Sequence, residues 1–540
     1  MSLLKNTFRF GSMTLISRIL GFVRDIVLAR WFGATAATDA FFVAFKIPNF
    51  LRRLFAEGSF SLAFVPVLAE YRERGDQAAL KSLIDATAGS LMAVLLLITG
   101  LGMLFAPWVI RLFAPGFIDQ PEQFALASEL LRITFPYLLF IALTALAGGI
   151  LNTLGRFALP ALTPALLNIS LIIAAVVFSQ GLDEPVRALA WGVLVAGILQ
   201  LAVQLPALAR HGVLPRPWPR FRHPGVKRIL KLMLPTLFGS SVAQVSLLLD
   251  TLIASLLIAG SISWLYYADR LMEFPLGLFG VALSTVILPT LSGLHASGRR
   301  QDFRATLEWA LLLGVAIGVP SAVGLAVLAE PLMVTLFQYG AFDEQAVSMA
   351  ALALTAYCLG LPAFIGVKIL APAYFSRQDA RTPVRIAVTA LAVNMLLNLL
   401  FVLLIIHHLA GGDFSAGLFA TLAAFPGAHV GLALASSVSA WLNAILLWRN
   451  LRGPGLAPGL PGRHLARVVV ACIGMSVVVL ALVPATEQML AFGLFQRVGW
   501  LFAGIFAGAL VYAVVLFALG ARPSQFLRPV APPPDGAEKE

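Results

Sequence analysis

Long apolar windows dominate this sequence and limit what it can fold into. Each holds about 20 mainly hydrophobic residues, the length that an α-helix needs to cross a bilayer. Fourteen windows lie at 10–32, 38–68, 82–110, 125–154, 159–179, 187–209, 228–258, 262–293, 304–328, 345–375, 383–409, 427–448, 465–484 and 496–519. Of the 540 residues, 59% are hydrophobic and only 12% are charged, whereas soluble domains have about 25% charged residues. The sequence predicts an all-α polytopic membrane protein with about 14 transmembrane helices.

Positive charge is distributed unevenly between alternate connections of these windows. The termini and connections on one side carry 26 Lys and Arg residues, whereas the other side carries Arg111, Arg187 and Arg497. Cytoplasmic loops are the ones enriched in Lys and Arg, so both termini are predicted to be cytoplasmic. Membrane orientation therefore accounts for the net charge of +12, and no nucleic-acid partner is expected.

An internal repeat connects the two halves of the chain. Pro66 and Pro289 are related by an offset of 223 in the numbering, and Pro160 and Pro383 are related by the same offset. Further pairs at offsets of 225 or 226 are Asp25 with Asp250, Asn168 with Asn394, and Asp76 with Asp302. The repeated unit contains six windows, an even number, so the two copies are expected to have the same orientation in the membrane.

The repeat and the Pro/Gly-rich linkers predict four segments. An N-terminal six-helix lobe at 1–222 and a C-terminal six-helix lobe at 223–452 form the parallel pseudo-repeat. Two extra helices at 453–520 belong to neither copy, and the Pro-rich tail at 521–540 is predicted to be disordered and cytoplasmic.

Nine cations fall inside the predicted spans, where a charge at the bilayer centre costs about 2.5–3.5 kcal/mol on insertion scales. They are Arg18, Arg24, Arg30, Lys46, Arg52, Arg53, Arg132, Arg270 and Lys368. Internal neutralisation is one explanation, because acids occur at helical spacing from several of them. The candidate sets are Arg53 with Glu57, Arg18 with Asp25, and Arg270 with Asp269 and Glu273.

Pairing does not account for every cation in the first two spans. With Arg30 set aside because it lies near a span end, where it can snorkel, five cations face three acids, a surplus of two. Arginine is the residue best suited to binding oxyanions through two parallel hydrogen bonds. The N-terminal lobe is therefore predicted to bind a substrate that carries phosphate or carboxylate groups.

Three stretches resemble the MurJ (MviN) family of lipid II flippases, within the multidrug/oligosaccharidyl-lipid/polysaccharide exporter superfamily. They are "SRILGFVRD", "TDAFFVAFKIPNFLRRLFAEGSFSLAFVPVLAEY" and "YYADRLMEFPLGLFGVALSTVILPTL". The resemblance covers nearly the whole chain. It implies a central cavity between two lobes that opens alternately to each side, and a polyprenyl-tail groove formed by the last two helices, at 465–519.

The resemblance also implies roles for individual residues. The substrate-binding arginines of the family match Arg18, Arg24, Arg52 and Arg270. Further cavity or gating positions match Asp25, Asp39, Arg53 and Glu57. Some members bind sodium through an acid on the seventh helix, which matches Asp250. The partner positions on the eleventh helix differ, with Phe375 near an expected amide. No cofactor other than this sodium ion is expected.

The expected function is transport of lipid II, a polyprenyl diphosphate-linked disaccharide-peptide, across the bacterial inner membrane by a monomer. The membrane potential is the expected energy source, because the sequence contains no G-x-x-x-x-G-K-[ST] motif for ATP. No enzymatic activity is expected. Three alternatives are a flippase for another polyprenyl-linked glycan, a drug/cation antiporter of the same superfamily, and a membrane enzyme that acts on polyprenyl phosphates. The enzyme would need a group of acids or histidines, and the paired His407 and His408 lie at a span end.

Overall fold

The structure is a computed structural model that describes residues 2–53, 60–415, 417–451, 458–459 and 462–527, without the side chains of 2–15, 61–62 and 234–243. Its α-helices are α1 (Ser2–Phe32), α2 (Ala36–Arg52), α3 (Ser61–Glu73), α4 (Gln77–Leu104), α5 (Ala106–Phe113), α6 (Pro121–Thr134), α7 (Tyr137–Thr153), α8 (Ala158–Ile173), α9 (Arg187–Arg210), α10 (Pro224–Ser255), α11 (Ser261–Pro275), α12 (Val281–Ala296), α13 (Arg300–Val327), α14 (Ala329–Leu336), α15 (Glu344–Cys358), α16 (Leu361–Phe375), α17 (Arg381–Leu409), α18 (Leu418–Ala424), α19 (His429–Asn450), α20 (Gly462–Leu482), α21 (Thr486–Ala491), α22 (Leu494–Ala518) and α23 (Ser524–Leu527).

The predicted all-α membrane fold is confirmed. Within the described residues, ten helical stretches are long and apolar enough to cross a membrane. The number rises to eleven if α15 and α16, which are bent by 42° at their junction, form one broken span. The other predicted spans coincide with α1, with α2 and α3 together, and with α10. The count of fourteen therefore stays a prediction.

The sequence repeat recurs in the helix boundaries. Helix α4 runs from 77 to 104 and α13 from 300 to 327, so the same offset of 223 relates their starts and their ends. The short helices that follow them, α5 and α14, run from 106 to 113 and from 329 to 336, and they show the same offset at both ends. The two copies of the repeat thus encode matching orders of long and short helices.

Contacts divide the chain into two compact units, which differ from the predicted lobes in the position of α10. The first unit comprises Met1–Ser263 and Tyr339–Phe342, and the second comprises Trp264–Gln338 and Asp343–Glu540. The predicted boundary after residue 222 follows the repeat, whereas the contact boundary follows packing. The predicted segments remain a prediction.

Helix α10 belongs to the first unit because it completes an apolar core there. Ile229 of α10 is buried with Phe64 of α3, Leu83 of α4, Leu151 of α7 and Leu208 of α9. At its other end, the backbone N–H of Gly116 donates to Ser255 Oγ at 3.3 Å. Burial of each large apolar side chain contributes about 1.5–3 kcal/mol, so detaching α10 from this unit is costly.

An ion-pair cluster reinforces the packing of α10 at the predicted cytoplasmic end. Glu70 of α3 accepts hydrogen bonds from Arg228 of α10 and from Arg74. These two bonds, the one from Arg228 first, lower the pKa of Glu70 from its ordinary value. The cluster is exposed, so its main effect is to fix the relative positions of α3 and α10.

The last two long helices form a hairpin that packs on α13 within the second unit. Tyr512 Oη of α22 donates to the carbonyl of Ala316 at 2.7 Å. A Cβ on Gly504 would lie 2.4 Å from Val483 Cγ2, and one on Gly508 would lie 2.7 Å from Val479 Cγ2. Both glycines therefore allow α20 and α22 to approach closely.

The predicted tail includes residues that pack on the second unit. Ala521 is buried, and Trp309 Nε1 donates to the carbonyl of Phe526 in α23 at 3.3 Å. Residues 528–540 lie outside the described residues, and the prediction of disorder for them is untested.

Candidate functional site

Arg24 is the most deeply buried of the predicted substrate-binding arginines, with 6% of its surface exposed. Its Nε and Nη2 atoms donate to Asp25 Oδ1 at 3.0 and 2.7 Å, and its Nη1 donates to Asn168 Oδ1 at 3.0 Å. The guanidinium is thus bound by two side chains, one charged and one neutral. Such charge-assisted hydrogen bonds are roughly twice as strong as neutral ones.

Asn168 connects α8 to α1 and positions Arg24. Its Nδ2 donates to the carbonyl of Ser17 at 3.0 Å, while its Oδ1 accepts from Arg24. A Cβ on Gly21 would lie 3.4 Å from Asn168 Nδ2, so a small residue there lets the two helices meet at this amide. Sequence reasoning noted Asn168 only as a repeat partner of Asn394. The repeat pairing with Asn394 and the presence of a polar residue in an apolar window were the sequence features that could have identified Asn168 as a site residue.

The predicted pairing of Arg18 with Asp25 is wrong for this structure. Asp25 pairs with the adjacent Arg24 at 2.7 Å, and Arg18 is exposed. Residues seven apart do share a helix face, but the long Arg24 side chain reaches the neighbouring carboxylate directly. Arg24, which was predicted to bind substrate, and Asp25, which was predicted to act in the cavity or gate, therefore form one ion pair.

The second predicted group of cations lies at the end of α2. Arg52 is half-buried, and its Nε donates to Asn49 Oδ1 at 2.8 Å, one turn earlier on the same helix. Arg53, also half-buried, follows at the end of the helix. Glu57 lies outside the described residues, so its predicted pairing with Arg53 stays a prediction.

Asp39 forms a hydrogen-bonded clamp between α2 and the residues that open α11. Its Oδ1 accepts from the Ser263 backbone N–H at 2.8 Å and from Ser263 Oγ at 2.6 Å. Its Oδ2 accepts from the Gly260 N–H at 2.7 Å. Gly260 has a φ of +95°, a conformation that favours glycine. The buried carboxylate thereby caps the first turn of α11, where the helix dipole favours negative charge.

Arg270 belongs to the second unit and has partners on its own helix, α11. Its Nη1 donates to Glu273 Oε2 at 3.1 Å, which places part of the predicted acidic cluster in contact with it. Its guanidinium carbon lies 5.2 Å from the centroid of the Tyr266 ring, within the range of a cation–π interaction. Arg270 is half-buried, and these partners are side chains, as those of Arg24 are.

A second buried arginine, Arg497, lies at the start of α22, where sequence reasoning placed an ordinary loop cation. Its Nε and Nη2 donate to the carbonyls of Phe492 and Leu490 at 2.9 and 2.8 Å, where α21 ends. Its Nη1 donates to the carbonyl of Val334 at 3.3 Å and to Gln338 Oε1 at 3.2 Å, where α14 ends. The partial negative charge at helix C-termini favours a cation in this position.

Asp250, the predicted sodium ligand, is half-buried on α10. Phe375, which the family resemblance placed near an expected amide ligand, is the last residue of α16. Within the part of the chain that the structure describes, no three His, Cys, Asp or Glu residues group together as metal ligands. Sodium binding stays a prediction.

Comparisons with known proteins identify similar sequences along nearly the entire chain. A family model described as "Lipid II flippase MurJ" matches residues 28–501. The "Probable lipid II flippase MurJ" of Haemophilus influenzae is 44% identical over 536 residues, which cover 95% of this chain and 99% of that protein. The "Lipid II flippase MurJ" of Burkholderia cenocepacia is 45% identical over 466 residues, which cover 86% of each chain.

Solved structures show the same fold. A structure titled "Lipid II flippase MurJ, inward closed conformation" superposes with a TM-score of 0.74 at 28% identity, covering 94% of this chain and 97% of that one. An inward-facing multidrug transporter of the MATE family superposes with a TM-score of 0.60 at 14% identity, covering 82% and 97%. The latter likeness concerns the fold alone.

Proposed function

This chain belongs to the family of MurJ lipid II flippases, and from that premise we propose how its residues move lipid II from the cytoplasmic to the periplasmic leaflet. The head of the substrate passes through the membrane by alternating access, while the polyprenyl tail stays in lipid. The protein acts as a monomer in the inner membrane with both termini in the cytoplasm. It breaks no bond.

The observation that carries the proposal is the set of partners around Arg24. A buried arginine needs compensation for its charge, and here Asp25 and Asn168 supply it through side chains. Side chains can rotate away, so an incoming diphosphate can replace the Asp25 carboxylate without leaving the guanidinium unpaired. Diphosphate oxygens suit bidentate binding by arginine.

The substrate-binding set comprises Arg18, Arg24, Arg52 and Arg270, as the family resemblance implies. Arg52 and Arg270 are half-buried and, like Arg24, are held by side chains, those of Asn49 and Glu273. Each therefore has partners that can be exchanged for phosphate oxygens. Arg53 and Glu57 would act in the cavity or its gate.

Asp39 supplies a gate in this mechanism. Its three hydrogen bonds to Gly260 and Ser263 hold α2 against the start of α11. All three bonds lie within the first unit, and the gating role of Asp39 is the one that the family resemblance implies. If these bonds differ between the open and closed states, the free-energy difference contributes to the populations of the two states.

The membrane potential provides the direction of transport. When an anionic head group leaves an inside-negative cell, its electrostatic free energy falls by about 2.3 kcal/mol per charge for each 100 mV. A sodium ion at Asp250 is a second source of energy, and flipping with and without sodium at a fixed potential distinguishes the two.

The proposal is tested by flipping of fluorescent lipid II in proteoliposomes that contain the purified protein. We expect Arg24→Ala to abolish flipping and Arg24→Lys to retain part of it, because lysine keeps the charge and loses the bidentate geometry. Arg381→Ala, which alters an exposed arginine at the start of α17, is the control. Flipping by Arg24→Ala at the wild-type rate would exclude a substrate role for this arginine.

A further inference from the structure

The connection between α9 and α10 is held against α4 by two hydrogen bonds. The Arg216 backbone N–H donates to Asp85 Oδ1 at 2.7 Å, and the Arg220 N–H donates to Ser90 Oγ at 3.2 Å. Between these contacts, a Cβ on Gly89 would lie only 2.2 Å from the carbonyl carbon of Trp218. The loop backbone is therefore seated on α4, and only glycine at position 89 permits this approach.

Two aromatic side chains of this connection project outward. Trp218 is 70% exposed and Phe221 is 47% exposed, although the backbone beneath them is fixed. Exposed apolar surface that is bordered by polar residues is one mark of a membrane-contact site.

The position of Trp218 along α4 indicates which surface its side chain can contact. Helix α4 is buried from Ala86 to Ser90, where the loop covers it. From Val94 onward it carries many exposed apolar side chains, although Leu95 and Thr99 stay buried. Gly89 and Val94 are five residues apart, or about 7.5 Å along the helix. Trp218 thus contacts α4 about one and a half turns before the exposed apolar residues of this predicted span begin. Tryptophan is enriched at this level of membrane proteins.

Three exposed arginines accompany the aromatic side chains: Arg216, Arg220 and Arg222. Within the described residues, none of the three forms an ion pair. The neighbouring acid, Asp85, is engaged by Lys81 and by the Arg216 backbone N–H. The guanidinium groups therefore remain available to an external anion.

We propose that residues 214–222 bind anionic phospholipid headgroups at the cytoplasmic face of the membrane. Trp218 and Phe221 enter the boundary between headgroups and acyl chains, and the three arginines bind lipid phosphates. Each arginine near an anionic surface contributes about 1 kcal/mol, or about fivefold in affinity. Binding here holds the connection that leads into α10 against the membrane, and it is independent of substrate binding at Arg24.

Native mass spectrometry tests the proposal on the purified full chain after incubation with equal amounts of phosphatidylglycerol and phosphatidylcholine. The test variant replaces Arg216, Arg220 and Arg222 by Gln. The control variant replaces Arg381, Arg385 and Arg449 by Gln, which removes the same charge from exposed positions on the same predicted side.

We expect the test variant to retain at least fivefold less phosphatidylglycerol than the control variant, with retention of phosphatidylcholine unchanged. Equal losses in the two variants would overturn the proposal, because they would mean that general positive charge attracts the lipid.

The aromatic part is tested separately with Trp218→Ala and with Trp191→Ala, which removes an exposed tryptophan from α9. We expect Trp218→Ala to lower phosphatidylglycerol retention about threefold, within the energy of one interfacial aromatic side chain, and Trp191→Ala to leave it unchanged. Unchanged retention of phosphatidylglycerol by Trp218→Ala would show that the tryptophan is not part of the binding surface. Thermal unfolding of each variant confirms that it is folded.

Discussion

Arg24 in the first unit and Arg497 in the second are buried to a similar degree but are bound by different groups. Arg24 is 6% exposed and bound by the side chains of Asp25 and Asn168. Arg497 is 8% exposed and bound mostly by backbone carbonyls where α14 and α21 end, with Gln338 as a side-chain partner. Side-chain partners can leave and be replaced by a ligand, whereas helix carbonyls move only with their helices. Burial of a charge therefore does not by itself identify a ligand site, and the kind of partner that binds the charge is the feature to test.

The comparison is tested most strongly by removing each arginine and measuring flipping per folded molecule. We expect Arg24→Ala to reduce flipping by about 100-fold or more, because truncating a buried charge that binds the ligand costs about 2–5 kcal/mol. Arg497→Ala should retain flipping in proportion to the amount of folded protein. Comparable losses per folded molecule would mean that both arginines act on the substrate.

The free energy of unfolding should respond strongly to a conservative replacement of Arg497. Arg497→Lys is expected to lower the free energy of unfolding by about 3 kcal/mol, because one ammonium cannot reach carbonyls on two helices and hydrogen bonds to charged groups contribute about 1.5–3 kcal/mol each. Arg187→Lys, at the partly exposed pair with Glu129, should change it much less, because solvent screens such a pair. Denaturant unfolding in detergent measures both values. A loss for Arg497→Lys no larger than that control would contradict the carbonyl clamp.

Asp25→Asn sharpens the comparison by weakening a partner instead of the arginine. The amide keeps the shape of the carboxylate but loses its charge, so a diphosphate competes with a weaker partner. We expect a polyprenyl diphosphate to bind about tenfold more tightly, equivalent to one charge-assisted hydrogen bond. Fluorescence titration measures the affinity. Weaker binding to Asp25→Asn would show that the carboxylate supports the ligand instead of competing with it.

The smallest expected effect concerns the glycines that join α20 to α22. Gly508→Ala should destabilise the protein by about 1–2 kcal/mol, because overpacking a close helix contact forces side chains to move. Gly499→Ala on the same helix meets nothing within 4 Å and should stabilise slightly through helix propensity. Equal effects of the two substitutions would show that the α20–α22 contact tolerates a methyl group.

The packing role of these glycines also limits what their substitution can reveal about the predicted groove for the polyprenyl tail. A large substitution at Gly504 or Gly508 would separate α20 from α22, so a loss of flipping in such a variant would not by itself locate the tail. Photo-crosslinking from the tail of a polyprenyl diphosphate to residues 465–519 is the direct measurement.

The sequence was sufficient to predict the membrane fold and the repeat, and it drew attention to Arg24 as a cation inside a predicted span. Apolar windows and the cost of burying charge depend only on local composition, so they can be recognised without a structure. The boundaries of α4, α5, α13 and α14 then reproduce the offset that the paired prolines predicted.

Other features depend on which distant groups meet, and the sequence contains no local sign of them. The partners of Arg497 are mostly backbone carbonyls, which every residue has, so no residue type near Arg497 distinguished it from a loop cation. Asp39 is likewise bound to Gly260 and Ser263, more than 200 positions away. The spacing between Arg18 and Asp25 predicted the wrong pair because it ignored the reach of a long side chain.

The placement of α10 has a consequence for how the chain assembles during synthesis. The first copy of the repeat ends near residue 222, but the first unit lacks a core helix until the residues up to Ser263 have been made. At about 5–20 residues per second, the roughly 40 intervening residues take about 2–8 s. During that interval the inner faces of α3 and α4 lack their native neighbour. The nascent protein must therefore hold its first six predicted spans in an arrangement that still lacks one of its core helices.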